Sequence, residues 1–194
     1  MHKTIISAAL TLLAAAGAMA ANPQYTKFLG LKYRDNCANF DAGQFQSVTG
    51  CFDGKTRDTI TLFPFDGFRD GDDGPFYYDQ WILISKNGTV PSKTVQTYWP
   101  ELVYEGDLDS NGRDELGVMR CGQNGCWYTY ETYTYYGKKW RPFLSVTHYG
   151  CNDEDSRDIL KRGAKKGQVR VREYNLDGDF TARTYTKSVT RFLK

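Results

Sequence analysis

The sequence predicts an all-β, antiparallel, hairpin-rich single domain with at most one short helix. Three observations carry this. Runs of β-branched and aromatic residues recur from Thr59 onward, and turns rich in glycine, asparagine and aspartate separate them. The segment Trp127 to Tyr136 is almost wholly β-branched or aromatic, which suits a pleated surface. Such hairpins assemble as a small barrel, a sandwich or a propeller-like ring of short sheets.

The first twenty residues stand apart. Lys3 gives a positive start, Ile5 to Ala16 is apolar, and Ala18-Met19-Ala20 is a small-residue cleavage site. Together they predict a secretory leader over 1–20, cut before Ala21. Its apolar run is too short and alanine-rich for a membrane span, and no later segment is apolar enough to cross a bilayer. A periplasmic or secreted protein is therefore expected. Residues 21–194 then form one domain, long enough to bury a real core. Losing Lys3 lowers the formal net charge from +2 to +1, which gives no global attraction to nucleic acid.

Thr59 to Phe63 alternates as a strand should, and Trp81 to Ile84 is a short apolar strand. Asn87-Gly88 between Lys86 and Thr89 predicts a type I′ hairpin, because both residues tolerate positive φ. Thr94 to Trp99 reads as the return strand, interrupted at Pro100. Leu102 to Tyr104 and Leu116 to Met119 read as strands flanking a polar loop. Trp127 to Tyr136 is turned by Gly137-Lys138-Lys139 into Trp140 to His148. The one helical candidate, of one or two turns, lies between Asp153 and Arg162. Val169 and Val171 alternate with Arg170 and Arg172 over Gln168 to Tyr174; Asn175 to Asp179 is a turn, and Phe180 to Phe192 closes the chain.

The polar loop carries the clearest chemistry. In Asp107-Leu108-Asp109-Ser110-Asn111-Gly112-Arg113-Asp114-Glu115, oxygen-bearing side chains occupy the first, third, fifth and ninth positions, and Gly112 sits sixth. A calcium ion takes six to eight oxygens at about 2.3–2.6 Å, and a curling loop brings alternate side chains inward to supply them. The Arg113 carbonyl adds a backbone oxygen. The twelfth position is Val118 and the flanks are strands, so the loop is not an EF-hand. A strand–DxDxNGxxE–strand segment resembles the calcium loop of FG-GAP and VCBS repeats, found in β-propeller blades. That resemblance covers about twenty residues and implies Asp107, Asp109, Asn111, Glu115 and the Arg113 carbonyl as calcium ligands. Echoes at Asn175-x-Asp177-x-Asp179 and Asp70-Gly71-Asp72 break the pattern and read as turns.

Cys37, Cys51, Cys121, Cys126 and Cys151 remain after the leader. An oxidising compartment favours disulfides. Cys121–Cys126 would close a hairpin tip and Cys37–Cys51 a local loop, leaving Cys151 free or paired with Cys37 or Cys51. Sequence does not settle connectivity. With one histidine and a single C-x4-C spacing, zinc is a poor fit.

No catalytic constellation emerges. After the leader His148 is the only imidazole, and no G-x-S-x-G elbow accompanies any serine. Glu101, Glu105, Asp114 and Glu131 lie near aromatics, but no spacing selects a glycosidase pair. No enzyme is expected. Surfaces remain. Asp66, Asp70, Asp72 and Asp73 form an acidic loop; Lys161, Arg162, Lys165, Lys166, Arg170 and Arg172 form a basic stretch. Tyr128, Tyr130 and Tyr136 share one face of a regular strand, Trp127, Tyr133 and Tyr135 the other, and rigid aromatics favour interfaces. The leader, single calcium loop and aromatic hairpins together loosely resemble exported β proteins that inhibit lysozymes or neutralise peptidoglycan-hydrolase effectors. That resemblance implies a protein partner, a cell-wall hydrolase effector or a lysozyme, met by the acidic loop and the tyrosines. The alternative is a calcium-stabilised carbohydrate- or surface-binding module.

Overall fold

The computed structural model describes residues 21–34, 36–41, 44–121, 125–150, 158–175 and 181–189. The expected leader, Cys151, the first half of the Asp153–Arg162 segment and most of the Asn175–Asp179 segment lie outside them. The described chain is mostly β, in three antiparallel sheets with one short helix and no closed barrel. The first sheet is a meander of β1 (Gln46–Gly50), β2 (Asp58–Arg69), β3 (Phe76–Ser85) and β4 (Lys93–Gln96). The second repeats that plan with β5 (Glu101–Gly106), β6 (Glu115–Cys121), β7 (Trp127–Tyr136) and β8 (Lys139–Tyr149). The third, ordered β11-β10-β9, joins β9 (Leu160–Arg162), β10 (Gln168–Tyr174) and β11 (Ala182–Ser188).

The second sheet is the middle layer. One core packs Phe52, Ile60, Leu62, Trp81 and Leu83 on Leu102, Leu116, Val118 and Tyr133, joining the first two sheets. Another packs Val103, Met119, Tyr130 and Val146 on Leu160, Val169 and Val171, joining the second and third. Alternation along β7 therefore feeds two cores: Tyr133 enters one, Tyr130 the other. Both faces of the aromatic strand are covered. Tyr130 is wholly buried and its hydroxyl donates to Glu105, so it is a core residue and not part of a partner surface. It lies so close to β6 that a Cβ on Gly117 would sit 1.9 Å from its hydroxyl oxygen.

Helix α1 (Pro23–Leu29) caps the outer face of the first sheet, seating Phe28 on Phe63, Ile82 and Ile84. The Asn22 side chain accepts from Gln24 N at 3.0 Å, and Pro23 sits where its missing N–H costs nothing. Of the expected Asp153–Arg162 helix, the described end, Leu160–Arg162, is strand β9 instead. Cross-strand pairing overrides the local pattern: Leu160 faces Val171 and enters the core.

The type I′ turn also moves. Gly137 (φ 60°) and Lys138 (φ 64°) adopt it between Tyr136 and Lys139, whereas at Asn87-Gly88 only the glycine has positive φ. There the connection from β3 to β4 is longer, because the buried carboxylate of Asp58 captures it. Asp58 accepts from Asn87 N (3.1 Å), Thr89 Oγ1 (2.8 Å), Ser85 Oγ and its neighbour Thr59 N (2.7 Å).

Candidate metal centre

The Asp107–Glu115 loop joins β5 to β6 in the middle sheet. β5 ends in a bulge between Tyr104 and Gly106, and Gly106 (φ 66°) turns the chain out of the ladder. Gly112 (φ 89°) makes the second sharp bend, the role its sixth position implies. Leu108 is buried in the core between the second and third sheets and anchors the loop. The third sheet grips the loop from outside. Gly167 N donates to Asp109 O at 2.8 Å, and Arg162 Nε to Asp107 O at 2.7 Å.

Carboxylate oxygens of Asp107, Asp109 and Glu115 all lie within 4.8 Å of one another. Two oxygens on one calcium ion are at most about 5.2 Å apart, so the three fit a shared ion. Asp109 and Glu115 are wholly buried. Glu115 Oε2 accepts from Leu108 N at 2.8 Å, but Oε1 is buried with no hydrogen-bond partner. The Thr134 hydroxyl lies near enough to lower the Glu115 carboxyl as a long hydrogen bond would, yet the pair falls short of hydrogen-bond geometry, and Thr134 Oγ1 is likewise buried without a partner. Leaving such an oxygen unpaired costs about 1–3 kcal/mol, more for a charged group. The one described cation in reach is exposed: an Arg162 guanidinium nitrogen stands 3.9 Å from Asp107 Oδ2.

Electrostatics match this picture. Burial first, then the Asp109 charge, pushes the Glu115 carboxyl up to about 9. Burial also raises Asp109, and Asp107 adds to the effect against the Asn111 amide hydrogen bonds. Glu105, outside the cluster, is pushed up to about 7 by burial, partly offset by Tyr130. Without an ion, Glu115 is protonated at neutral pH; as a ligand it must release that proton. Calcium binding at pH 7 is therefore expected to free about one proton and to tighten by up to about tenfold per pH unit below 9. Titration calorimetry in buffers of different ionisation enthalpy measures this; an apparent enthalpy independent of buffer would sink it.

The other expected ligands stand differently. Asn111 N donates to Asp107 Oδ1 (2.9 Å) and Asp109 Oδ1 (3.1 Å), and Gly112 N to Asp107 Oδ2 (3.0 Å). These bonds pre-shape the loop. The Asn111 amide turns Nδ2 to Asp109 Oδ2, while its Oδ1 accepts from Arg113 N at 2.8 Å. The Arg113 guanidinium leaves the loop and lies 5.6 Å from the Tyr136 ring centroid. Asp114, skipped by the motif, fixes the loop to β1: its Oδ2 accepts from Cys51 N at 2.5 Å and from the Tyr104 hydroxyl at 2.9 Å. Nothing in the sequence marks that role, because Cys51 is 63 positions away.

The remaining expected sites are dispersed. Asp66, Asp70, Asp72 and Asp73 are exposed, at or near the β2–β3 hairpin tip. Tyr128 is half-buried beside His148, which is itself buried against Tyr174. Glu105 and Glu131 each accept from a tyrosine hydroxyl, and Glu131 also pairs with Arg120 at 2.5 Å. Cys37, Cys51 and Cys121 are free thiols, so neither Cys37–Cys51 nor Cys121–Cys126 is formed. Cys51 is held toward Asp114 and Cys37 beside Asn39, where β-sheet contacts outrank sequence proximity. Cys126 is disulfide-bonded.

No helix among the described residues is long and apolar enough to cross a membrane. Neither a protein-family model, nor a curated protein, nor a solved structure matches the chain.

Proposed function

We propose that this chain is a calcium-binding, non-enzymatic protein whose ion staples a β scaffold that binds another protein. The unpartnered Oε1 of Glu115, buried among the carboxylates of Asp107 and Asp109, carries the reading. The ion supplies the missing partner, screens the repulsion among the acids, and ties β5–β6 to the third sheet through Asp109 and Asp107. The flanking elements are paired strands, so the ion holds a conformation; it does not open one.

The partner reading is that of an exported inhibitor or immunity factor against a peptidoglycan-degrading enzyme. The acidic hairpin tip supports it. Arg69 donates to Gly74 O at 2.8 Å and Asp70 N to Pro75 O at 3.1 Å, so a closed turn presents Asp70, Asp72 and Asp73 to solvent. Acidic projections of this kind speed encounter with a basic cleft and select among partners. The test is lysis of purified peptidoglycan by a panel of lysozymes and bacterial cell-wall hydrolases. Inhibition of at least one member is expected, weakened at least tenfold when Asp70, Asp72 and Asp73 are together changed to lysine. A panel untouched by the wild-type chain would overturn the partner reading and leave the metal reading standing.

A further inference from the structure

We infer that the Tyr98–Trp99 ridge and the two clefts it separates form a binding site for a neutral oligosaccharide, with pyranose rings stacked on Trp99 and Trp127. This rests on neither the metal nor the protein partner.

The ridge follows β4, where the chain leaves the first sheet for the second. Thr97 pins it: Thr97 N donates to Asp79 O at 2.9 Å, Thr97 Oγ1 to Cys121 O at 3.2 Å, and Cys121 N to Thr97 Oγ1 at 3.0 Å. Adjacent side chains then point to opposite sides. Trp99 lines a cleft of about 380 Å³ with Phe40, Asp41 and Gln44. Tyr98 lines a second, of about 450 Å³, with Trp127, Asp79, Gln96 and Thr129. Both volumes suit small-molecule sites, which run from about 300 to 1,000 Å³. The rings of Tyr98 and Trp99 lie 6.2 Å apart, so one extended ligand can cross the ridge and occupy both sides.

The lining chemistry selects the ligand class. Trp99 is 40% exposed, and its ring packs on Tyr77 and Tyr98, so an apolar ring is held in place while facing water. Sugar rings offer apolar C–H faces ringed by hydroxyls, and rigid aromatics bind such faces at low entropic cost. The hydroxyl partners are also in place. The side chains of Asp41, Asp79 and Gln96 make no hydrogen bond with any described residue, and each borders a cleft or its rim. The single cation in either lining, Arg120, is spent on Glu131 (2.5 Å) and Gln96 O (3.0 Å). Two unengaged carboxylates without a free cation disfavour an acidic ligand and favour a neutral polyol. The second cleft sits on the seam between the first two sheets, walled by β3 and β4 on one side and β6 and β7 on the other, while the first is walled by β1, β2, β3 and the segment before β1.

The test uses the mature chain titrated with chitotetraose, cellotetraose and maltotetraose, read by tryptophan fluorescence and calorimetry. Saturable binding of at least one is expected. Trp99→Ala and Trp127→Ala should each weaken it at least tenfold, and Gln96→Ala at least threefold. Phe65→Ala, which removes a more exposed ring elsewhere, should change it less than twofold. Thermal melts confirm that each variant is folded. No saturable binding to any of the three sugars would overturn the inference. So would binding that survives both tryptophan substitutions, or Trp99-dependent binding of an aromatic peptide with none of the saccharides.

Discussion

Glu115→Gln is expected to erase the response to calcium while leaving the ion-free protein nearly as stable as wild type. The substitution keeps the shape of the protonated acid and removes the charge that a hard cation needs. With an affinity of about 10⁻⁴ M, 1 mM calcium is expected to stabilise the wild type by about 1.4 kcal/mol. For a domain of this size that is about 3–6 °C in melting temperature. In chelator the two proteins should differ by less than about 1 kcal/mol, because Glu115 is already protonated at neutral pH. Asp107→Ala should also lose the calcium response, but with a cost in chelator, since the Asn111 and Gly112 N–H groups lose their acceptor. The sign of the pH dependence separates this site from an ordinary salt-bridged acid. A carboxyl raised in the folded state stabilises fully below its ordinary value of 4.5. That contribution fades as pH rises through about 7 for Glu105 and about 9 for Glu115. Ion-free protein should therefore lose stability across that window, and calcium should restore the part due to Glu115. Melting curves at pH 5, 7 and 9, with and without calcium, check this. A Glu115→Gln protein that still gains several degrees from calcium would refute the assignment.

Asp58→Ala should cost more than any single ligand substitution, about 3 kcal/mol or more. The carboxylate is almost wholly buried and is the common acceptor for Thr59 N, Ser85 Oγ, Asn87 N and Thr89 Oγ1. Removing it orphans four donors at once, and each buried orphan costs about 1–3 kcal/mol where water cannot reach it. The damage should spread to the helix, because Asn22 N donates to Lys86 O (2.7 Å) and Asn22 Nδ2 to Ser85 O (3.0 Å) on the same connection. Urea unfolding is the measure, with an unchanged slope showing that the midpoint reports stability. A loss below about 1 kcal/mol would mean that solvent takes over the donors and that the loop is not built around Asp58.

Local pattern was enough to reveal most of the strands, though not β1 or β9. Trp127–Tyr136 is β7 residue for residue, and the alternation of Val169 and Val171 marks the buried face of β10. The spacing in Asp107–Glu115 likewise brought Asp107, Asp109 and Glu115 into view, because three acids on one tight turn must converge. What pattern missed was set at long range. The Asn87-Gly88 pair obeys turn chemistry in isolation, but an aspartate 29 positions upstream claims its N–H. Leu160–Arg162 had helix-compatible composition, but β10 offered a ladder. Tyr130 had the profile of an interface aromatic, but it lies between two sheets and buries its hydroxyl on Glu105.

By itself, the sequence determined the all-β class, most of the strands and the acidic turn, because side-chain alternation and loop spacing are properties of neighbours along the chain. Only the tertiary structure decided that the second sheet is sandwiched between two others, that Glu115 keeps an unpartnered oxygen, and that Tyr98 and Trp99 divide two clefts. Each depends on what a distant segment buries or leaves open, and burial sets the energy of a carboxylate or a ring far more than its neighbours in sequence do.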